Sequence, residues 1–285
     1  MIDLNRRELF FRMPTLAETA GSDPIRAAVW GVSGAGKTTL AGLMAMHEEL
    51  RPIYFADWDR RIVSLRARVP KEYWQYIHSD VYTDLTIQGG GWTAFEAKMM
   101  TIQNQGFKTV VIDSMTFMLM GLMNRVLLLD GNRPSTSNPQ LQNYLTQQSM
   151  VKDILQKLCS KKINVICTFH EANDKDEYSG RVFKAFAITG KLTETVPGYF
   201  NEIWHCAIMP GQPGQEPDYV IKTKSDGVYM ARTTFKNLKP AEKQSEFWPK
   251  VVKEMEYLSV VDAEIITTEK VVSTSLPMGK LGLIK

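Results

Sequence analysis

Short apolar runs alternate with longer segments of helical period along most of this chain. Residues 26–30 (RAAVW), 52–56 (PIYFA), 109–113 (TVVID) and 164–169 (NVICTF) each read as strands. The third run is β-branched and apolar throughout, as a strand buried on both faces should be. Between the runs, apolar residues recur three and four apart. Helices are expected at 38–49, with Leu40, Leu43 and Met44 on one face, at 92–105 with a stop at Gly106, at 114–129 and at 141–160. This alternation predicts an α/β fold, a mainly parallel sheet covered by helices. Residues 130–139 (DGNRPSTSNP) are polar and rich in breakers, so they read as a loop.

Past Glu171 the pattern changes. Residues 171–181 (EANDKDEYSGR) are polar and predict a mobile loop. YVIKTK and VYMART flank SDG and predict a C-terminal β-hairpin over 219–233, with Asp226 and Gly227 in its turn. Residues 241–258 read as a terminal helix, and the pattern weakens from 265. The chain thus divides into an arm at 1–21, a core at 22–240 and a helix with a tail at 241–285. No internal repeat or low-complexity block interrupts it.

Composition narrows the class. The 285 residues are 44% hydrophobic and 23% charged, which excludes collagen-like, disulfide-scaffold and wholly disordered chains. A net charge of +3 is compatible with nucleic acid without pointing to it. The three cysteines, Cys159, Cys167 and Cys206, form no CxxC pair and have no metal-ligand spacing with His47, His78 or His205. Free thiols in a reducing compartment are expected, and no zinc site. The opening MIDLNRRELFFRM carries Asp3, Arg6, Arg7 and Glu8 where a signal peptide needs an apolar run. The most apolar stretch, 115–123, is far short of the ~20 residues of a membrane span. A cytoplasmic protein without membrane contact is expected.

Residues 31–38 read GVSGAGKT, the G-x-x-x-x-G-K-[ST] pattern, placed after an expected strand and before an expected helix. Gly31, Gly34 and Gly36 let the backbone turn. Successive N–H groups of the run, with Val32, Ser33 and Ala35 between the glycines, then point inward and cradle phosphates at the helix N-terminus. Lys37 places a positive charge on the β- and γ-phosphates. The Thr38 hydroxyl ligates Mg²⁺, and Thr39 supports the α-phosphate side. ATP and Mg²⁺ are the expected ligands. Asp113, closing the apolar VVID run, fits the second acid that holds Mg²⁺ through water, and it also suits a cap for the helix that follows.

Hydrolysis needs a group that orients and deprotonates the attacking water. The second strand ends in ADWD, so Asp57 and Asp59 sit at its carboxyl edge, where open α/β sheets bind ligands. Asp59 is the favoured base, with Asp57 the alternative. His170 ends the fourth strand on the same side, placed to hydrogen-bond the γ-phosphate and report its presence to the next loop. A GTPase would need N-K-x-D. The nearest text, Asn173-Asp174-Lys175-Asp176, puts an acid before the lysine. Arg60, Arg61, Arg66 and Arg68 offer arginines for a kinase-type lid, but read more simply as a basic helical face.

Together GVSGAGKT, DWD, VVIDS and CTFH resemble the RecA-type P-loop ATPase core, and among such proteins the short phage RecA-like ATPases of the single-strand annealing and recombination group. The resemblance covers roughly residues 22–240. It implies a Mg-dependent ATPase stimulated by DNA, assembling as a homo-oligomeric ring or filament on single-stranded DNA and promoting annealing or recombination. It also implies a host cytoplasmic setting, with a single-strand binding protein as a further partner. Asp59 stands where the family carries a catalytic glutamate. The family's two DNA loops fall here at 130–139, offering Arg133, and at 171–184, offering Lys175, Arg181 and Lys184 with Tyr178 and Phe183 for base stacking. Glu171, Asp174, Asp176 and Glu177 oppose DNA in the second. Basic residues from a neighbouring subunit would reach the γ-phosphate, and ARTTFKN supplies Arg232 and Lys236. Segment 191–206 is implied to be a helix leading into a further strand. An ATP-gated protein-interaction switch, or a packaging or helicase-type motor, is the alternative.

Overall fold

The computed structural model describes residues 23–83, 87–175, 178, 180–211 and 216–256; the expected arm at 1–21 and the tail from 265 lie outside them. Pro24–Val252 form one compact unit. Of a second unit, Met1–Asp23 with Lys253–Lys285, only Asp23 and 253–256 are described.

Six strands run parallel: β1 (Arg26–Gly31), β2 (Ile53–Asp57), β3 (Ile77–Val81), β4 (Thr109–Asp113), β5 (Asn164–Lys175) and β7 (Glu202–Met209). With the antiparallel β8 (Asp218–Lys222) and β9 (Ala241–Lys243) the order across the sheet is β3-β2-β4-β5-β1-β7-β8-β9. The fold class is therefore the expected α/β P-loop architecture. Side chains alternate between the two faces, as strand geometry requires. Ala28, Trp30, Tyr54, Ala56, Val110, Ile112, Val165, Cys167 and Phe169 share one core. Covering it are α2 (Gly90–Thr101), α3 (Met115–Leu129) and α4 (Leu141–Cys159).

Beneath the opposite face lie α1 (Lys37–Leu43) and the final helix α6, which begins at 244. Trp248 anchors this side. Its ring meets Trp204 and Phe247 edge-on, and its indole N–H donates to the Leu40 carbonyl at 2.6 Å. Trp248→Ala therefore costs about 3–5 kcal/mol, measurable as a lower midpoint in denaturant unfolding.

Three expectations are corrected. First, residues 171–175 and 182–184 are strand rather than loop. β5 continues to Lys175 and pairs antiparallel with β6 (Val182–Phe186), making a ribbon off the main sheet. Backbone pairing holds it, so side-chain polarity gave no sign of it. Second, 219–233 is not a self-paired hairpin. β8 turns back onto β7 and takes β9 as its other neighbour, while 228–233 touches the sheet by the Ile203–Arg232 bridge. The Asp226-Gly227 turn does form, with Asp226 Oδ1 accepting from the Val228 and Tyr229 N–H groups and Gly227 at φ 89°. Third, the arginine-rich 60–68 segment is a short 3₁₀ turn, Ile62–Ala67, not an α-helical face. The segment 191–206 holds a four-residue helix α5 (Leu192–Thr195) before β7. The described residues contain no helix long and apolar enough to cross a membrane.

Candidate active site

The strand register gathers the candidate chemistry at one edge of the sheet. Gly31 stands opposite His170 across β1 and β5, and Asp57 opposite Asp113 across β2 and β4. The chain leaves β1 on one side of β5 and returns as β2 beyond β4, so the phosphate loop opens at a switch in strand order, where open sheets bind ligands.

Gly31 has no room for a side chain: a Cβ there would lie 2.2 Å from the Cys206 carbonyl oxygen of β7. Gly36 adopts φ 84°, the left-handed region, just before α1. Its carbonyl accepts from Gln244 Nε2 at 2.8 Å, so the start of α6 holds the base of the loop. Lys37 Nζ donates to the carbonyls of Gly31 (2.9 Å) and Val32 (2.8 Å), latching the loop on itself. Burial lowers the Lys37 pKa, with Asp113 and Asp59 pulling the other way.

A cavity of about 400 Å³ opens above the loop. Ser33, Gly34, Gly36, Lys37, Thr38 and Thr39 line it on one side, and Asp59, Asp113, His170, Arg60, Arg61 and Arg68 line it on the other. Its size suits a small-molecule ligand.

Asp113 is buried at the end of β4 and serves two threonines. Thr38 Oγ1 donates to its Oδ2 at 2.7 Å, and Thr168 Oγ1 donates to its Oδ1 at 2.5 Å. Burial raises its pKa, while the two hydroxyls oppose the rise. Thr38 and Asp113 form the all-oxygen pair that a hard divalent cation prefers. Among the described residues no cluster of three or more His, Cys, Asp or Glu could form a metal cage. The Thr38–Asp113 oxygen pair fits Mg²⁺, which usually takes one or two protein ligands, several waters and the substrate phosphates.

The two acids after β2 do different work. Asp57 is buried and accepts backbone N–H bonds from Arg60 (2.7 Å), Arg61 (3.3 Å) and Ile62 (3.4 Å), fixing the turn into the 3₁₀ segment. Asp59 lines the cavity. Its Oδ1 is buried with no hydrogen-bond partner, and its Oδ2 faces Arg61 Nε at 3.6 Å. Burial, with Asp113 and Asp57 adding to it, pushes its pKa up to about 7. A carboxylate with a pKa near neutrality is well matched to taking a proton at physiological pH.

His170 lies at the cavity wall, edge-on to Phe117, its backbone N–H donating to Thr116 Oγ1 at 3.1 Å. Burial, with Lys37 and Arg61, pushes its pKa down to about 4, so the ring is neutral at pH 7 and keeps one N–H donor. The next residue, Glu171, is a junction whose side chain is buried. It accepts from Lys184 Nζ at 2.8 Å and lies 2.8 Å from His205 Nε2.

The other expected residues lie outside this cavity. Arg133 ties down the 130–139 loop through Asp130 (2.9 Å), Asn143 (3.1 Å) and the Asn138 carbonyl (2.7 Å). Lys175, Arg181, Phe183 and Lys184 lie on the β5–β6 ribbon, with Tyr178 fully exposed at its tip. The Arg181 guanidinium donates to the Gly227 carbonyl at 2.5 Å. The Arg232 guanidinium donates to the carbonyls of Pro197 and Phe200 in its own chain, and Lys236 is exposed. Thr168 and Gln244 gave no sign in the sequence, while Arg60, Arg61 and Arg68, expected on a basic helical face, line the cavity instead.

The family model described as AAA domain (AAA_24) matches residues 23–235. No curated protein matches the sequence. Among solved structures the chain is similar to the RadB recombinase, at 17% identity and TM-score 0.43 over 70% of this chain and 79% of that one. It is also similar to KaiC-like protein PH0186 from Pyrococcus horikoshii OT3, at 14% identity and TM-score 0.40 over 74% and 84%. The flagellar accessory protein FlaH from Methanocaldococcus jannaschii is similar at 9% identity and TM-score 0.40, over 78% and 84%.

Proposed function

The chain belongs to the AAA domain family (AAA_24), and from that premise we propose that it is a RecA-like, Mg-dependent, DNA-stimulated ATPase that assembles on single-stranded DNA and serves annealing or recombination. One observation carries the DNA half of this reading. The strand that brings His170 to the nucleotide cavity runs on unbroken into the ribbon bearing Lys175, Tyr178, Arg181, Phe183 and Lys184. A nucleotide felt at His170 is thus one residue from Glu171, whose carboxylate holds Lys184 on the facing strand.

The triphosphate lies along Gly31–Thr39, and the Lys37 ammonium exchanges its two loop carbonyls for the β- and γ-phosphates. Thr38 and Asp113 would hold Mg²⁺, which would supply positive charge to neutralise the phosphate oxygens. Asp59 orients a water and accepts its proton as the water oxygen bonds to the γ-phosphorus and the bond to the ADP oxygen breaks. The neutral His170 ring donates to the γ-phosphate, and loss of that phosphate releases the ring and the ribbon behind it. Lys175 and Arg181 approach the DNA backbone, and Tyr178 and Phe183 offer stacking faces.

The test is phosphate release with and without single-stranded DNA. The rate rises with DNA, the stimulation falls as salt increases, and Lys175→Ala with Tyr178→Ala removes it. A rate indifferent to DNA would favour the protein-interaction reading. A groove of about 440 Å³ between α3, α4 and the ribbon supports that second reading, with Leu119, Met120, Met123 and Phe186 supplying apolar surface.

A further inference from the structure

We infer that Arg61 is an arginine supplied in cis to the γ-phosphate, and that it exchanges its contact with Asp59 for that phosphate. The second half rests on the proposed role of Asp59; the first does not.

Local geometry aims the side chain. Asp57 accepts the N–H groups of residues 60, 61 and 62, and Arg60 adopts φ 61°, so the chain turns sharply after β2. Arg61 leaves that turn facing the loop. Its Nη1 donates to Ser33 Oγ at 3.2 Å and its Nε lies 3.6 Å from Asp59 Oδ2. Lys37 and His170 line the same cavity as Arg61. One side chain therefore addresses both the phosphate loop and the base. Arg60 and Arg68 line the same cavity, but of the three it is Arg61 that touches loop and base.

The Arg61–Asp59 contact is loose. Arg61 is half-exposed, and 3.6 Å to a single carboxylate oxygen is a loose ion pair. A terminal phosphate carries more charge and accepts the guanidinium fork through two oxygens. ATP therefore draws Arg61 off Asp59. That move places positive charge where it develops during phosphoryl transfer, and it frees the carboxylate to take the proton of water. ADP lacks the γ-phosphate and leaves the pair in place. Arg232, by contrast, is occupied by two carbonyls of its own chain.

The experiment compares Arg61→Ala, Arg61→Lys and the parent chain for binding of a non-hydrolysable ATP analogue and of ADP, alongside phosphate release. In Arg61→Ala, affinity for the analogue falls roughly ten- to hundredfold while ADP affinity holds, because one charge-assisted contact is lost. Phosphate release falls about 10³-fold or more. Arg61→Lys regains part of the binding and little of the rate, since lysine lacks the planar fork. Mixing Arg61→Ala with Lys37→Ala restores no activity if the arginine acts on its own subunit. An unchanged preference for the analogue over ADP, or recovery on mixing, overturns the inference. Normal turnover in Asp59→Asn would instead remove the base assignment, and the nucleotide preference of Arg61→Ala alone would then decide the role of Arg61.

Discussion

Lys37→Ala abolishes turnover, lowering phosphate release on the order of 10³-fold, the loss expected when a preorganised charge is taken from a transferring phosphoryl group. The side chain is buried, and its ammonium bridges the Gly31 and Val32 carbonyls at the centre of the cradle. Alanine leaves the loop backbone in place, since the turn depends on Gly31, whose α-carbon packs against the Cys206 carbonyl, and on Gly36 with its Gln244 contact. The variant should keep an unfolding midpoint near that of the parent while losing activity. Steady-state phosphate release beside a thermal melt checks both parts. Activity close to the parent's would mean that the phosphates bind elsewhere.

Asp59→Asn has the opposite profile: Mg-ATP still binds, and hydrolysis falls on the order of 10²–10⁴-fold, the range expected for loss of a general base. The pH dependence gives a second readout. With the Asp59 carboxyl pushed up to about 7, only the ionised form, dominant above that value, can accept a proton. The parent's kcat/KM therefore rises with pH through an inflection near 7, and Asp59→Asn loses that limb. The sign for stability runs the other way. The folded carboxyl is harder to ionise than the unfolded one, so this group's contribution to stability is largest below the ordinary carboxyl range and falls as pH rises to about 7. At pH 8 the asparagine variant should melt somewhat above the parent, as is common when a strained functional group is removed. A pH–rate profile and paired melts distinguish this from a variant that has simply misfolded.

The buried centre of the molecule was legible in the sequence because burial imposes pattern. TVVID and NVICTF are apolar on both faces and became β4 and β5 of the parallel sheet. Glycines at fixed spacing between a strand and a helix marked the phosphate loop. What stayed hidden was held by backbone pairing or by distant contacts. β3 is the edge strand IHSDV, mostly exposed beyond its first residue and paired only with β2, so neither alternation nor a β-branched run announced it. The β5 arm of the ribbon beyond Glu171, Ala172-Asn173-Asp174-Lys175, is polar, so it too gave no strand pattern. Arg61 looked like one arginine in a helical face because spacing cannot reveal that Asp57 caps a 3₁₀ turn there. Gln244 reaches Gly36 from the far end of the chain, a contact without any local signal. Chemistry that sits where a motif begins was therefore readable, and chemistry assembled by the turn after β2 and by α6 required the fold.

The most direct measurement is a calorimetric titration of the parent chain with Mg-ATP, repeated with Lys37→Ala. Saturable binding at one site per chain, lost in the variant, is the predicted result. No binding by the parent, or equal binding by both, would contradict the assignment of the cavity above Gly31–Thr39 as the place where ATP is held.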